Sequence, residues 1–350
     1  MRTATKTAPP SQDDLIGLAR SGHQDAFRRL VEPHRDSLHA HCYRMTGSVH
    51  DADDALQDAL LRAWRGLHRF EGRSALSTWL HQIATNVCLD ALAGRHRRVL
   101  PIDYGPASGP HEHGQRLDES VWVEPYPYAP PGLHSGLVSP EARYELRESI
   151  ELAFVTALQH LPVRQRAVLI LRDVLAFSSR EVAEMMETTT ASVNSALQRA
   201  RTTMDDRIPA SSQAETMSPV GDDGVRELVD SFVEAFERGD VQAIVALLTT
   251  DVTFAMPPYT GWCRGREDVA ESWLMPEGPT CRLRYIVTWA NAQPAMAAYV
   301  RDAEGDDYVP IALDVLTLNG RQIAAVTAFR DSGLFARLGL PDRLPAVEGS

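Results

Sequence analysis

The sequence predicts a multidomain protein with two all-α blocks followed by one α+β block. Its 350 residues exceed the usual length of one domain. Apolar residues recur at helical spacing in residues 12–98 and 140–207, whereas residues 224–332 change from helical spacing to strand-like alternation. Residues 101–140 hold eight prolines and five glycines. We therefore expect a Pro/Gly-rich linker at 99–139 and a C-terminal tail at 333–350.

Cysteine usage and hydropathy exclude several classes of protein. The four cysteines are scattered, without a CxxC pair or a histidine at ligand spacing, so neither a disulfide framework nor a metal site is expected. No stretch approaches the roughly 18 apolar residues of a membrane span, and the first residues lack the apolar core of a signal peptide. These patterns predict a cytoplasmic protein without membrane contact, and no motif indicates a cofactor.

Charge is distributed unevenly along the chain. The net charge is -12, but residues 209–350 alone carry 11 Lys+Arg against 21 Asp+Glu. Residues 60–100 carry seven arginines against two acids. An acidic total therefore does not exclude nucleic acid as a partner, because one local surface can still be basic.

The stretch "DADDALQDALLRAW" (residues 51–64) concentrates acids on one helix face. At 3.6 residues per turn, a buried stripe is expected from Ala52, Ala55, Leu56, Ala59, Leu60, Ala63 and Leu67. Asp53, Asp54, Gln57 and Asp58 then face outward. Taken alone, this cluster is typical of a solvated helix face whose acids suit the helix dipole.

The stretch "FEGRSALSTWLHQIATNVCLDALAGRHRR" (residues 70–98) combines aromatic, polar and basic side chains. The candidates for nucleic-acid contact in this stretch are one aromatic residue and several polar or basic residues. They are Ser74, Thr78, Trp79, Gln82, Asn86, Arg95, Arg97 and Arg98. Unstacked bases can stack on aromatic side chains, and phosphates attract positively charged side chains. The alternative is a core tryptophan with an arginine cluster at a helix C-terminus.

The stretch "SSREVAEMMETTTASVNSALQRAR" (residues 178–201) predicts two short helices with a turn near Glu187. In the second helix Val193, Leu197 and Ala200 form the expected buried stripe. Small polar residues, amides and arginines point away from it, as in a helix that reads the major groove. Any amphipathic helical hairpin shows the same period, so this pattern alone leaves both interpretations open.

Taken in order, these motifs resemble the extracytoplasmic-function (ECF) sigma factors of the sigma-70 family. The run from "FRRLVEPHRD" to "LAGRHRR" is similar to their region 2, and the run from "LPVRQRAVLI" to "ALQRAR" is similar to region 4. The chain departs from the family pattern in the turn, where Glu187 stands in place of a frequent glycine.

The resemblance implies a role for each cluster. The RNA polymerase core would dock through its β′ subunit on Asp53, Asp54, Gln57 and Asp58. The β subunit of the core would be a further partner of the chain. The residues 74–98 named above would capture the minus-ten promoter element. Contacts to the minus-35 element would come from Arg180, Thr190, Ser192, Asn194, Ser195, Gln198, Arg199 and Arg201.

The third block, with its tail "GLFARLGLPDRL", resembles the SnoaL-like, ketosteroid-isomerase-like cone that some sigma factors carry. We expect it to regulate the sigma activity in cis or to bind a small-molecule ligand, with residual enzyme activity as the rival. Asp314 is the best candidate for a carboxylate inside the cone, although pairing with Arg282 or Arg284 is the favoured interpretation. Trp122, Tyr126 and Tyr128 are too apolar for a solvated spacer and are expected to dock on the cone.

One alternative covers the whole chain. A helix-turn-helix regulator with a ligand-sensing or weakly enzymatic C-terminal domain would explain residues 178–201 and the third block. It would not explain the acidic face or the run from Trp79 to Arg98. The sequence therefore favours a non-enzymatic sigma factor that directs core polymerase to promoters.

Overall fold

The computed structural model describes residues 11–127, 149–273, 283–302 and 307–345. In chain order the α-helices of these residues are α1 (Gln12–Arg20), α2 (Gln24–Val31), α3 (Arg35–Thr46), α4 (Val49–Gly66), α5 (Leu76–Leu92), α6 (Pro101–Tyr104), α7 (Leu152–Gln159), α8 (Val163–Leu169), α9 (Ser179–Met185), α10 (Thr190–Asp205), α11 (Gln213–Met217), α12 (Gly221–Glu237), α13 (Val241–Ala246), α14 (Arg266–Trp273) and α15 (Gly333–Arg337). The strands are β1 (Leu248–Ala255), β2 (Trp262–Arg264), β3 (Leu283–Ala290), β4 (Gln293–Arg301), β5 (Tyr308–Asn319) and β6 (Gln322–Phe329).

The chain forms two compact units. One, the helical unit, combines residues 1–95 with residues 163–199. The other, the mixed unit, combines residues 96–162 with residues 200–350. Helices with apolar stripes bury them against one another in the first, and helices cover a sheet in the second.

The helical unit is built around α3, α4 and α5. Helix α3 ends at Gly47, whose φ of 71° is left-handed and allows the chain to turn at once into α4. Helix α4 is capped by Ser48, whose hydroxyl accepts a hydrogen bond from the Asp51 amide at 3.0 Å. The predicted stripe of α4 is buried, with Leu60 half-buried, so the predicted acidic face does point to solvent.

A six-stranded sheet forms the centre of the mixed unit, in the order β2-β1-β6-β5-β4-β3. Strands β3 to β6 pair antiparallel along the chain, whereas β1 runs parallel to β6. Helix α12 packs on this sheet through Leu228, Phe232 and Phe236, which are buried in the same core as Met296 and Val326. The predicted α+β class is confirmed, and the four predicted alternating strands are β3 to β6.

The turn between β3 and β4 has two residues with left-handed backbone. Asn291 and Ala292 have φ angles of 53° and 55°, and Ala290 pairs with Gln293 across the turn. Two left-handed residues give the twist that joins adjacent antiparallel strands, and asparagine adopts this conformation more readily than most residues. The turn presents the Asn291 side chain to another segment of the mixed unit, as described below.

Candidate functional site

The first candidate site is an open groove in the helical unit, here called the acidic groove. It has a volume of about 580 Å³ and is lined by residues of α4 and the C-terminal part of α5, including Asp51, Asp54, Gln57, Asp58 and Asp90. Two of these acids pair with arginines: Asp90 with Arg62 at 3.0 Å and Asp51 with Arg95 at 3.2 Å. The groove is therefore a charged surface that is open to a protein partner.

The structure brings three of the four predicted acidic-face residues together in this groove. Asp54, Gln57 and Asp58 line it, whereas Asp53 turns towards α3, where its carboxylate lies 3.1 Å from Nε2 of His39. Asp90 was missed as a site residue because it lies 32 residues after Asp58 in the chain. Only the packing of α5 on α4 brings these two carboxylates into one groove.

A second candidate site is the polar face of α5. Thr78, Gln82 and Asn86 follow one another at four-residue intervals and are all half-buried, so they form one ridge along the helix. Ser74 lies before the helix and is exposed. Trp79 is half-buried and packs on Phe70, with ring centroids 5.0 Å apart. Part of the Trp79 side chain stays accessible beside the ridge.

The three arginines that follow α5 have separate environments. Arg95 is exposed and pairs with Asp51 in the helical unit. In the mixed unit, Arg97 donates to the His160 ring at 3.2 Å. Arg98 is buried, and its Nη1 donates to the backbone carbonyls of Glu119 and Trp122 at 3.1 and 2.8 Å. Arg98 thus departs from its expected phosphate role, since its guanidinium is used to hold the linker backbone.

The third candidate site is the helix-turn-helix of α9 and α10. Helix α9 begins with a capping box, in which the Ser178 hydroxyl accepts from the Glu181 amide and the Glu181 carboxylate accepts from the Ser178 amide. The predicted turn is present, and Glu187 adopts a left-handed φ of 50°. Thr189 begins the next helix by accepting a hydrogen bond from the Ser192 amide at 3.1 Å.

The outward face of α10 is the predicted one. Val193, Leu197 and Ala200 are buried, whereas the exposed predicted contacts on α10 are Thr190, Ser192, Asn194, Ser195, Gln198, Arg199 and Arg201. Asn194 is exposed and accepts a hydrogen bond through Oδ1 from the Ser179 hydroxyl at 2.8 Å. Arg180 is exposed and pairs with Glu184 at 3.0 Å on α9. A face rich in amides, hydroxyls and arginines suits base edges and phosphates.

The linker is docked within the mixed unit over residues 99–127. The Tyr126 amide donates to Oδ1 of Asn291 at 2.8 Å, and the Asn291 amide donates to the Tyr126 carbonyl at 2.9 Å. The Asn291 side chain also donates through Nδ2 to the Ile150 carbonyl at 2.7 Å. Tyr126 therefore lies against the β3–β4 turn of the mixed unit. Trp122 is buried beside Tyr104, and Tyr128 lies outside the described residues.

A second part of the linker, residues 108–117, pairs with the loop that follows β1 and with the first residue of β2. Hydrogen bonds of 2.8 to 3.0 Å join Ser108 to Trp262, His113 to Gly261 and Leu117 to Pro258 through the backbone. Gly114 has a left-handed φ, and a Cβ there would lie 2.3 Å from the Thr260 hydroxyl. This approach leaves no room for a side chain.

The third block contains a cavity of about 210 Å³ between α12, α14 and the sheet. Its walls are mainly aromatic and apolar, and the half-buried Asp314 and Tyr285 contribute polar groups. Burial raises the pKa of Asp314 to about 7, although the nearby Arg330 lowers it. Burial also raises the pKa of Tyr285 well above its usual value, with Asp314 and Glu237 adding to the shift.

The expected pairing of Asp314 with a β3 arginine is wrong for Arg284. Arg284 lies over the Tyr308 ring at 5.6 Å and donates to the Pro345 carbonyl at 3.4 Å. Arg282 lies outside the described residues. The register leaves Asp314 opposite Met296 on β4 and Ala328 on β6, so the carboxylate lines the cavity instead of an edge of the sheet.

In the described ranges, no group of three or more His, Cys, Asp or Glu side chains could hold a metal ion. No helix of those ranges is long and apolar enough to cross a membrane.

Comparison with known proteins gives the family. Residues 30–98 match sigma-70 region 2, residues 151–204 match sigma-70 region 4 and residues 229–330 match the SnoaL-like domain. The chain is 44% identical over 321 residues to the ECF RNA polymerase sigma factor SigG of Mycobacterium tuberculosis, covering 91% of this chain and 85% of that protein. The chain belongs to the ECF sigma factors.

Two further comparisons agree with this sigma factor identity. The ECF sigma factor SigW of Bacillus subtilis is 28% identical over 188 residues, covering 53% of this chain and 90% of SigW. The fold is similar to the crystal structure of Mycobacterium tuberculosis SigJ, with a TM-score of 0.55, 22% identity and coverage of 88% of this chain and 97% of that one. In this sigma factor the acidic groove lies within the region 2 match, the helix-turn-helix within region 4, and most of the cavity wall within the SnoaL-like domain.

Proposed function

We propose that this sigma factor binds core RNA polymerase through the acidic groove. The observation that supports this is the exposure of Asp54 and Asp58 on one helix face, with 71% of the Asp54 side chain accessible. Like charges at i, i+4 on a helix repel by about 0.2 to 0.5 kcal/mol, and a basic partner surface would relieve that repulsion. Gln57, between them, would add hydrogen bonds, and Asp53 would act at the edge of the same surface.

The polar face of α5 and the helix-turn-helix of α9 and α10 would contact promoter DNA. The ridge of Thr78, Gln82 and Asn86, with Ser74 and Trp79 beside it, would hold the minus-ten element, and Arg95 and Arg97 would contact phosphates. The exposed face of α10, with Arg180 of α9, would read the minus-35 element in the major groove. We place these functions in residues 12–98 and 140–207, respectively. Similarity to the ECF RNA polymerase sigma factors SigG and SigW supports RNA polymerase as the partner.

The experiment for the first proposal is the double substitution Asp54→Lys with Asp58→Lys. Both side chains are exposed, so folding is retained while affinity for core polymerase falls by at least tenfold at low salt. The matched control is Asp230→Lys with Glu234→Lys, which reverses the same i, i+4 charge pattern on the exposed face of α12. Unchanged core binding by the Asp54/Asp58 variant in a salt-dependent pull-down would refute the docking assignment.

We also propose that residues 209–350 control the sigma activity in cis. This proposal is supported by the hydrogen bonds between Asn291 and Tyr126, because they attach the linker to the SnoaL-like domain. The linker joins the region 2 and region 4 sequences, so its docking restricts where those parts can go. The expected role is regulatory and not enzymatic.

Two variants test control in cis through promoter-dependent transcription in vitro. Truncation after Met217 removes the domain, and Asn291→Ala keeps it but loses the side-chain bonds to Tyr126 and Ile150. Both should change transcription from a matched promoter in the same direction. Equal transcription by the full-length chain and both variants, across ionic strengths, would refute control in cis. The domain would then have a function that is independent of the sigma activity.

A further inference from the structure

Four side chains meet at the C-terminal end of α7 and form a group that is here called the His160 cluster. Its members are Arg97, Asp103, His160 and Arg207. They come from four separate segments of the mixed unit, namely the chain after α5, helix α6, the end of α7 and the chain after α10. Arg97 lies within the region 2 match and His160 within the region 4 match. One histidine side chain thus joins residues of both regions.

The hydrogen bonds of His160 require a neutral ring with its proton on Nε2. Nη1 of Arg97 lies 3.2 Å from Nδ1, and because arginine can only donate, Nδ1 has to accept. Nε2 lies 3.2 Å from a carboxylate oxygen of Asp103, which accepts its proton. Nη1 of Arg207 lies 3.4 Å from Nε2 and 3.8 Å from the Asp103 carboxylate. A second ring proton, on Nδ1, would therefore point at Arg97 and remove its acceptor.

Protonation of His160 would place three positive charges around one carboxylate. Only 4% of the His160 side chain is accessible, so water screens the ring poorly from the two arginines. Burial is the largest cause of the lowered pKa of His160, Arg207 and Arg97 lower it further, and Asp103 raises it. The dipole of α7 also favours a cation at this end of the helix, but the pKa is lowered overall.

The direction of this shift makes the cluster dependent on pH. The pKa of His160 in the cluster lies below its ordinary value of 6.5, so between these values a released His160 binds a proton that the docked ring does not. The contribution of His160 to docking is therefore complete above about pH 6.5 and is lost as the pH falls below that value.

The backbone next to Arg97 is held independently of the cluster. The following residue, Arg98, donates to linker carbonyls, as described above, and Val99 exchanges backbone hydrogen bonds with Val121 and Val123 at 2.9 and 3.0 Å. None of these bonds involves a group that ordinarily titrates near neutral pH. Protonation of His160 would therefore release the Arg97 side chain and not the linker.

We propose that the His160 cluster is a pH-dependent switch, in which neutral His160 holds the Arg97 guanidinium against the end of α7 and protonated His160 releases it to bind a phosphate of nucleic acid. The release rests on the four side chains of the cluster. The gain in DNA binding also rests on the proposed function, because it needs Arg97 as a phosphate contact. Separate measurements test these two parts.

The first measurement is an NMR titration of the full chain with histidine labelled in the ring, in which His160→Gln assigns the His160 signals. We expect the His160 midpoint to lie below 6.5. Arg97→Met and Arg207→Met should each move it to higher pH, because each removes a positive charge from the ring. The matched control is Arg226→Met, an exposed arginine on α12, which should leave the midpoint unchanged. A wild-type midpoint above 6.5, or one that neither cluster variant moves, would overturn the switch.

The second measurement is the affinity of the full chain for a short oligothymidylate, which offers phosphates without promoter bases. Lowering the pH from about 7.5 to about 6 should strengthen binding by the wild type several-fold more than binding by His160→Gln. Glutamine can accept from Arg97 and donate to Asp103, but it does not titrate. Arg97→Met should lose the same extra gain, and the control His96→Gln, at an exposed neighbouring histidine, should retain it.

Two outcomes of this measurement would contradict the release of Arg97 onto phosphate. Equal gains on acidification in the wild type, His160→Gln and Arg97→Met would overturn it directly. Equal affinity of the wild type and Arg97→Met at every pH would refute the phosphate contact of Arg97 itself, and the ring titration would distinguish this failure of the proposed function from a failure of the switch.

Discussion

The carboxylates of the acidic groove and the carboxylate of Asp314 lie in opposite environments. Asp54 and Asp58 are exposed on a helix face, where water and mobile cations solvate them and a partner can reach them. Asp314 lines an aromatic cavity, and burial raises its pKa to about 7. Under the proposed docking, the first pair would attract a basic partner surface, whereas Asp314 can reach only groups inside the cavity. The same type of side chain thus has different properties in the two places, depending on its access to water.

A similar contrast separates two exposed arginines from two buried residues that hold the linker. Arg95 and Arg199 are exposed, whereas Arg98 and Asn291 are buried and satisfy backbone groups of the linker. Exposed charged groups contribute little to the free energy of folding and remain accessible to partners. Removal of a buried hydrogen-bonded group costs much more folding free energy. Four measurements sharpen this comparison.

The largest effect is expected from Asn291→Ala. The variant loses the hydrogen bonds to Tyr126 and Ile150, leaves their backbone groups unsatisfied and strains a left-handed position. We expect the free energy of unfolding of the mixed unit to fall by about 2 to 4 kcal/mol. Denaturant-dependent hydrogen exchange of β3 and β4 measures it. The exposed Asn319→Ala is the control, with a change within about 0.5 kcal/mol. Equal effects of the two variants would contradict the anchoring role.

Asp314→Asn should change how stability depends on pH. The folded pKa of about 7 lies above the ordinary 3.8, so between these values the folded state holds a proton that the unfolded state has released. Stability of the wild type therefore falls as pH rises from about 4 to about 7.

The Asp314→Asn variant lacks this dependence of stability on pH, because asparagine does not titrate. We expect it to gain about 1 to 3 kcal/mol relative to the wild type on going from pH 5 to pH 8. The measurement is hydrogen exchange of β5 amides at several denaturant concentrations. Parallel pH profiles for the two proteins would show that Asp314 is solvated like an exposed acid.

Substitutions on α10 should separate the proposed base contacts from the proposed phosphate contacts. Asn194→Ala or Gln198→Ala should relax minus-35 preference at one position, by about 1 to 3 kcal/mol for each lost bidentate contact. Arg201→Ala should weaken binding to all promoter sequences alike. Competition binding with single-base promoter variants distinguishes the two outcomes, and uniform loss by all three proteins would refute the division.

The smallest effect is expected in the helix-turn-helix turn. Glu187 has a left-handed φ of 50°, which costs a residue with a Cβ about 1 kcal/mol. Glu187→Gly should raise the unfolding free energy of the helical unit by about 0.5 to 1 kcal/mol, less the entropy that glycine adds to the unfolded chain. Glu187→Ala is the control without a gain. Chemical denaturation of the two variants decides the question.

The sequence by itself determined the helices, their exposed faces and the family. Helical period alone fixes which residues of α4 and α10 point to solvent, since both helices bury a stripe whose spacing is local. The turn at Glu187 could also be predicted, because its position follows from the two flanking helices. For these surfaces the proposed contact residues are the ones left outside the core.

Only the tertiary structure decided which distant residues meet. Asp90 joins the acidic groove because α5 packs on α4, and Arg98 turns into the linker because its guanidinium donates to the backbone carbonyls of Glu119 and Trp122. The same holds for Asp314, which does not pair with Arg284, because strand alternation gives the face of a residue but not the register of its neighbours. Long-range pairing depends on packing and on the satisfaction of buried polar groups, and neither leaves a periodic trace in the sequence.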